Sequence, residues 1–321
     1  MKRFARFLAA TCLAGFIFLN ILALNHARAM LLYAPRGERT AKPESLTWPQ
    51  RIKVLFLGVT VPRPTGSELP GDLAPEAQRL FIPTTAGATL GAWSCDRGPG
   101  RPWVILFHGY ATDKTSLLRE ARIFLDLEMS VLLVDFRGSG ESSERYTTIG
   151  CQESDDVTAA FRFVQKEWSP DAVILFGRSM GAAAILRAIR KDVIEPDGII
   201  LEAVFDNLLH TIRNRFRAMG VPSFPSADLL LWWGGRLVGF NGFAHNPVEY
   251  AAAARCPALF IHGANDPRAS LDEGRRVFAA VPGDKYFLEI PAAGHGSYAA
   301  VQPEKWIKTV AQFCGRVAAA K

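Results

Sequence analysis

Residues 171–190 read Asp171-Ala172-Val173-Ile174-Leu175-Phe176-Gly177-Arg178-Ser179-Met180-Gly181-Ala182-Ala183-Ala184-Ile185-Leu186-Arg187-Ala188-Ile189-Arg190. The first six make a short apolar strand, and the stretch from Ala182 is a helix of small and apolar residues. Between them, Gly177-Arg178-Ser179-Met180-Gly181 must turn sharply, which puts the Ser179 hydroxyl at the exposed tip of a strand–turn–helix elbow. The flanking glycines suit a strained backbone where strand and helix come close together. The five-residue pattern alone is weakly specific. Set between a strand and a helix it predicts a nucleophile, in preference to a serine that merely caps a helix.

Working outward, the same rhythm repeats. Arg79–Pro83 and Thr89–Trp93 read as an opening hairpin. Apolar runs follow at Trp103–Phe107, Val131–Val134, Ala172–Phe176, Gly198–Leu201, Ala258–Ile261 and Tyr286–Ile290. They mostly lack alternation, as strands covered on both faces do. Helical patterns fill the gaps at Leu117–Leu127, Glu153–Trp168, Ala182–Arg190, Leu271–Val281 and Pro303–Val317. The alternation predicts an α/β fold with a doubly wound, mostly parallel sheet. The stretch between Phe205 and Ala258 is too long for a simple crossover and predicts a helical cap insertion at about 206–250. Its aromatic-rich stretches, Leu229-Leu230-Leu231-Trp232-Trp233 and Phe240-Asn241-Gly242-Phe243, would either line an acyl pocket or pack the cap on the core.

With 321 residues, 49% of them hydrophobic and 21% charged, the chain is long enough for one large domain with additions and is not of a disordered composition. The net charge of +6 is largely local. Lys2, Arg3, Arg6 and Arg28 lie in the first thirty residues, where there is no acid, and the signs intersperse thereafter. No basic run with interleaved aromatics points to nucleic acid. Basic residues precede an uncharged stretch from Phe7 to Leu24, so residues 1–29 are expected to be a signal peptide or a membrane anchor. Ala27-Arg28-Ala29 has the small-x-small form of a cleavage site, whereas the length and Arg28 itself favour an uncleaved anchor. The expected location is a membrane-anchored protein with an exported catalytic domain, or a secreted or periplasmic one if cleaved. Residues 30–77 then read as a linker with a short amphipathic segment at Ile52–Val59, and 78–317 as the catalytic domain. Cys95, Cys151, Cys256 and Cys314 are scattered without metal-ligand spacing, so no metal is expected and buried free thiols are the default.

A serine needs a base, and the base needs orienting. His295, in Gly294-His295-Gly296 after the last strand, can reach over the carboxyl edge of the sheet, where Ser179 should lie. Asp266, in Gly263-Ala264-Asn265-Asp266-Pro267, is the expected acid, and Asp206 after the Gly198–Leu201 strand is its rival. The backbone N–H groups of Met180 and Tyr110 are the expected oxyanion donors, Tyr110 from the loop His108-Gly109-Tyr110. Asp135-Phe136-Arg137-Gly138-Ser139-Gly140-Glu141-Ser142 reads as a structural turn.

These motifs, with Leu106-Phe107-His108-Gly109, together resemble the α/β-hydrolase superfamily over about Gln78 to Val317. The chain looks most similar to a branch of membrane-anchored, serine-aminopeptidase-like hydrolases. Tyr110 stands where membrane-anchored members often carry asparagine. The resemblance implies the α/β-hydrolase fold, a triad of Ser179, Asp266 and His295, oxyanion donors at Tyr110 and Met180, and no metal or organic cofactor. The function expected is a serine hydrolase that cleaves an ester or thioester of a small-molecule or lipid-like acyl substrate. The membrane is the expected partner through the N-terminal segment, and nucleic acid is not. A serine peptidase or amidase, and a non-catalytic hydrolase-like binding protein, are the alternatives.

Overall fold

A computed structural model describes residues 1–66, 68–71, 73, 76–85, 87–191 and 194–320. Part of the Pro- and Gly-rich connector (Ser67, Asp72, Ala74 and Pro75) therefore lies outside the described residues. Two helices come first: α1 (Lys2–Leu31), and α2 (Trp48–Leu57), which opens on a capping box formed by Thr47 and Gln50. The strands are β1 (Gln78–Pro83), β2 (Thr89–Cys95), β3 (Trp103–Phe107), β4 (Ser130–Val134), β5 (Val173–Arg178), β6 (Gly198–Glu202), β7 (Ala258–Gly263) and β8 (Lys285–Ile290). Between and after them lie α3 (Leu118–Asp126), α4 (Glu153–Trp168), α5 (Met180–Arg190), α6 (Leu208–Ala218), α7 (Ser226–Val238), α8 (Pro247–Tyr250), α9 (Leu271–Ala280), α10 (Tyr298–Val301) and α11 (Pro303–Ala319).

The described strands form one eight-stranded sheet in the order β1-β2-β4-β3-β5-β6-β7-β8. The first two strands run antiparallel and form the expected hairpin, and β4 through β8 are parallel. Alternation within the strands explains the unbroken apolar runs. Trp103, Ile105 and Phe107 of β3 face one core with α4 and α5, whereas Val104 and Leu106 face the other with α3, α10 and α11. In β5, Val173 and Leu175 take the first face and Ile174 and Phe176 the second. The parallel strands all end at the same carboxyl edge, and the loops that leave it carry the candidate residues.

Most expected elements shift by only one or two residues at their ends. Two regions differ more. Helix α1 continues beyond the apolar stretch and through Ala27-Arg28-Ala29 to Leu31. Its C-terminal half is not free: Ala23, Ala27 and Leu31 are buried, and Leu31 belongs to the larger core. Tyr33, expected in a linker, is also buried, and its N–H donates to the Arg145 carbonyl at 3.1 Å. Between β6 and β7 lie α6, α7 and α8. Of the aromatic-rich stretch there, Leu231 is buried in the core, Trp232 is half exposed, and Trp233 Nε1 donates to Asn20 Oδ1 of α1 at 3.1 Å.

Candidate active site

The chain turns from β5 into α5 at Ser179, with φ 54° and ψ −107°. A non-glycine residue holds such a backbone only where its surroundings impose it. Here the Ser179 N–H donates to the Glu202 carbonyl of β6 at 2.7 Å, and its own carbonyl accepts from Ala183 N–H at 3.1 Å. Glycine is required on the helix side for a concrete reason. A Cβ on Gly181 would lie 2.3 Å from the Phe107 carbonyl oxygen, so only a residue without one lets α5 approach β3. Ser179 is half-buried, and its Cβ lies 3.8 Å from the position that a Cβ on Gly109 would occupy. That places the loop after β3 directly beside the elbow.

Asp266 follows β7 and His295 follows β8, and the two are joined: His295 Nδ1 lies 2.7 Å from Asp266 Oδ2. Asp266 Oδ1 accepts from the N–H groups of Arg268 and Ala269 at 2.8 and 3.0 Å. Burial would raise this carboxyl, but His295 and those two backbone donors hold it below the ordinary carboxylate range. An ionised Asp266 can only accept, so His295 Nδ1 carries the proton and Nε2 is the nitrogen able to take one. Among the described residues Ser179 Oγ makes no hydrogen bond, and the elbow and the Asp266–His295 pair follow parallel strands of the same sheet at its carboxyl edge. A nucleophile and its base are often joined loosely until substrate is bound.

Asp206, the rival acid, is engaged elsewhere. Its Oδ2 lies 2.9 Å from His210 Nδ1 and 2.9 Å from Arg276 Nη2, and no bond links it to His295 among the described residues. Asp206, His210 and Glu273 do place their donor atoms within 4.8 Å of one another, a spacing a metal ion would accept. The Arg276 guanidinium already occupies that carboxylate, and Glu273 accepts from Asn214 Nδ2 at 2.8 Å. The cluster is satisfied by the protein's own donors.

Of the two expected oxyanion donors, Met180 lies in the elbow itself and Tyr110 in the loop beside it. Met180 is the first residue of α5, where backbone N–H groups have no partner within the helix. The Tyr110 N–H makes no hydrogen bond among the described residues, while the Tyr110 hydroxyl donates to the Met30 carbonyl of α1 at 2.7 Å. The phenol is therefore committed to α1. Burial pushes it up to about 12, against the lowering effect of Arg215 and Arg39, so it remains a donor throughout the physiological range. The turn after β4 is structural, as expected. Arg137 pairs with Asp156 at 2.7 Å, and Glu141 accepts from Lys114 at 2.9 Å.

Sequence reasoning missed the support under Ser179. Arg178 Nε donates to Glu202 Oε2 at 2.8 Å and its Nη2 to Glu120 Oε1 at 2.6 Å. Ser297, two residues past His295, donates to the same Glu120 oxygen at 2.5 Å, and Trp306 Nε1 donates to Glu202 Oε1 at 2.6 Å. This buried cluster ties the serine elbow to the histidine loop. Burial pushes the Glu202 carboxyl up to about 7, with Arg178 opposing that rise and Glu120 adding to it. No local pattern announces it, because its members come from five separate elements and loops.

Beside the loops that carry Tyr110 and Asp266 opens a cavity of about 460 Å³. Tyr110 and Arg268 form its edge towards the site, and most of its remaining lining is aliphatic or aromatic. Ser179 and His295 are not among its walls.

Comparison with known proteins bears on the fold. Residues 98–220 match the family described as "Serine aminopeptidase, S33". The chain is 25% identical over 278 residues to the uncharacterized protein Rv2307c of Mycobacterium tuberculosis, covering 85% of this chain and 90% of that one. It is 26% identical over 244 residues to the uncharacterized protein YqkD of Bacillus subtilis, covering 74% and 79%. Among solved structures, the Pyrococcus furiosus esterase Pf2001 superposes with a TM-score of 0.66 at 24% identity, over 79% of this chain and 96% of that one. The chain has the α/β-hydrolase fold, and its residues 98–220 are similar to the serine aminopeptidase family. Its fold is like that of the esterase it superposes on, and it carries one N-terminal helix long and apolar enough to be a membrane anchor or a signal sequence.

Proposed function

We propose that the protein is a serine hydrolase that cleaves esters or thioesters of acyl substrates through Ser179, His295 and Asp266. The observation that supports this most is the Asp266–His295 pair at 2.7 Å on the sheet edge that also carries the strained Ser179 elbow. His295 Nε2 takes the Ser179 proton as Oγ attacks the acyl carbonyl. The N–H groups of Met180 and Tyr110 receive the oxyanion. Collapse expels the alcohol or thiol with the proton from His295, leaving an acyl-enzyme. Water, deprotonated by the same imidazole, then releases the acid and restores the serine. Asp266 orients the ring and stabilises the imidazolium.

A peptidase uses the same triad, and an aminopeptidase must also hold a substrate amine. Among the described residues, the side chains that line the neighbouring cavity include Arg39, Lys42, Arg215 and Arg268 and no carboxylate, which favours an acyl group over an amine. The substrate we propose is lipid-like, taken up at a membrane in which α1 is anchored, with the catalytic domain exported.

The test is labelling of the full-length protein with a fluorophosphonate, followed by turnover of acyl esters. The parent labels, whereas Ser179→Ala and His295→Ala do not. Asp266→Asn lowers kcat by about 10³–10⁴, as loss of the correct tautomer does elsewhere. If Asp206→Asn instead brings the larger loss, the assignment of the acid is wrong. A folded parent that neither labels nor turns over any ester would point to a binding role.

A further inference from the structure

The cavity beside Tyr110 is not built by the catalytic domain alone. One wall is the C-terminal half of α1, with Leu22, Ala23 and Met30, and another is Val54 of α2. The third is α6, with Ile212 and Phe216. Its ends differ chemically. Tyr110, Arg215 and Arg268 stand at the catalytic end, where the Arg215 guanidinium lies 5.8 Å from the centre of the Tyr110 ring. At the other end Phe18 of α1 and Phe56 of α2 meet with ring centres 6.4 Å apart, and both are about half exposed. Beyond them α1 is exposed and apolar, and α2 presents Trp48, Ile52 and Leu57 to the outside.

Helix α1 is also fastened to the site. Met30 accepts the Tyr110 hydroxyl, and Asn20 accepts Trp233 Nε1 of α7. Leu31 packs so closely on α7 that a Cβ on Gly234 would lie 3.0 Å from its Cδ1. A leader meant only for removal has no need of such contacts.

We propose that the C-terminal half of α1 is a working wall of the acyl-chain site. In that site the substrate chain lies between α1, α2 and α6, with its carbonyl at the Tyr110 end and its tail towards Phe18 and Phe56. The substrate class is then a medium- to long-chain acyl ester, and α1 stays with the mature enzyme. This rests on the esterase reading above.

The experiment measures kcat/KM of the full-length protein in detergent for 4-nitrophenyl esters from acetyl to dodecanoyl. For the parent, each added methylene buried in the cavity raises kcat/KM up to about fourfold, until the cavity is full. Ala23→Trp and Leu22→Trp, which place an indole in the cavity from the α1 side, lower the decanoyl-to-acetyl ratio at least about tenfold and move the plateau to shorter chains. Leu13→Ala, on the exposed part of α1, keeps the parental ratio. Fluorophosphonate labelling confirms that each variant scored is folded, and the two tryptophan variants back each other up. Parental ratios in either labelled tryptophan variant overturn the proposal. A parent that hydrolyses no ester of any length overturns the esterase reading instead, so the two failures are distinct.

Discussion

Beneath Ser179, Arg178 is clamped between two buried carboxylates at 2.6 and 2.8 Å, whereas the cavity beyond Tyr110 is walled mainly by aliphatic and aromatic side chains from α1, α2 and α6. The two flanks of the site hold their shape by different physics. The charged flank is directional: each bond has one geometry, and removing a partner strands a buried charge. The apolar flank is held by area and fit, which tolerate change of residue at similar volume. The first suits the part of a hydrolase that must stay in place during reaction. The second suits the part that selects what is bound, and the contrast predicts how each flank fails.

The largest effect on stability is expected on the charged side. Arg178→Met leaves Glu120 and Glu202 buried without their cation and should destabilise the fold by about 3–5 kcal/mol, read from denaturant unfolding. A loss under about 1 kcal/mol would mean that the cluster is far less directional than its distances imply.

The next effect separates the flanks by pH. The Glu202 carboxyl rises from 4.5 to about 7 in the folded protein, chiefly through burial. Between those values the folded chain holds a proton that the unfolded chain has released, so this group's contribution to stability falls as the pH rises through the window. Glu202→Gln should flatten that part of the profile of Tm between about pH 5 and about pH 8. A profile identical to the parent's would assign the titration elsewhere.

The smallest effect lies on the apolar side. Trp233→Phe removes the hydrogen bond from Trp233 of α7 to Asn20 and keeps most of the packing area. A loss of about 0.5–1.5 kcal/mol in detergent is expected. A loss as large as that for Arg178→Met would erase the distinction between the two flanks.

What was legible in the sequence follows the range of the interaction concerned. The strands β3 to β7 could be read because both their faces are buried, which leaves an apolar run in consecutive residues. The elbow at Ser179 could be read because its strand, turn and helix are contiguous. The Asp266–His295 pairing was reachable because both residues sit in short loops after successive strands of a parallel sheet. The partner of the Tyr110 phenol could not be read, since nothing near residue 110 reveals that the Met30 carbonyl will accept its hydrogen bond.

The sequence by itself therefore determined the α/β architecture, the serine elbow and which loops bring an acid and a histidine to the same edge, because each is written in local periodicity or chain order. Only the tertiary structure decided that Arg178, Glu120, Glu202 and Ser297 form one buried cluster, and that α1 leans on α7 and closes a cavity beside Tyr110. Those contacts join residues up to about two hundred positions apart, and such pairings are set by how layers stack and which volumes must be filled, which no window along the chain contains.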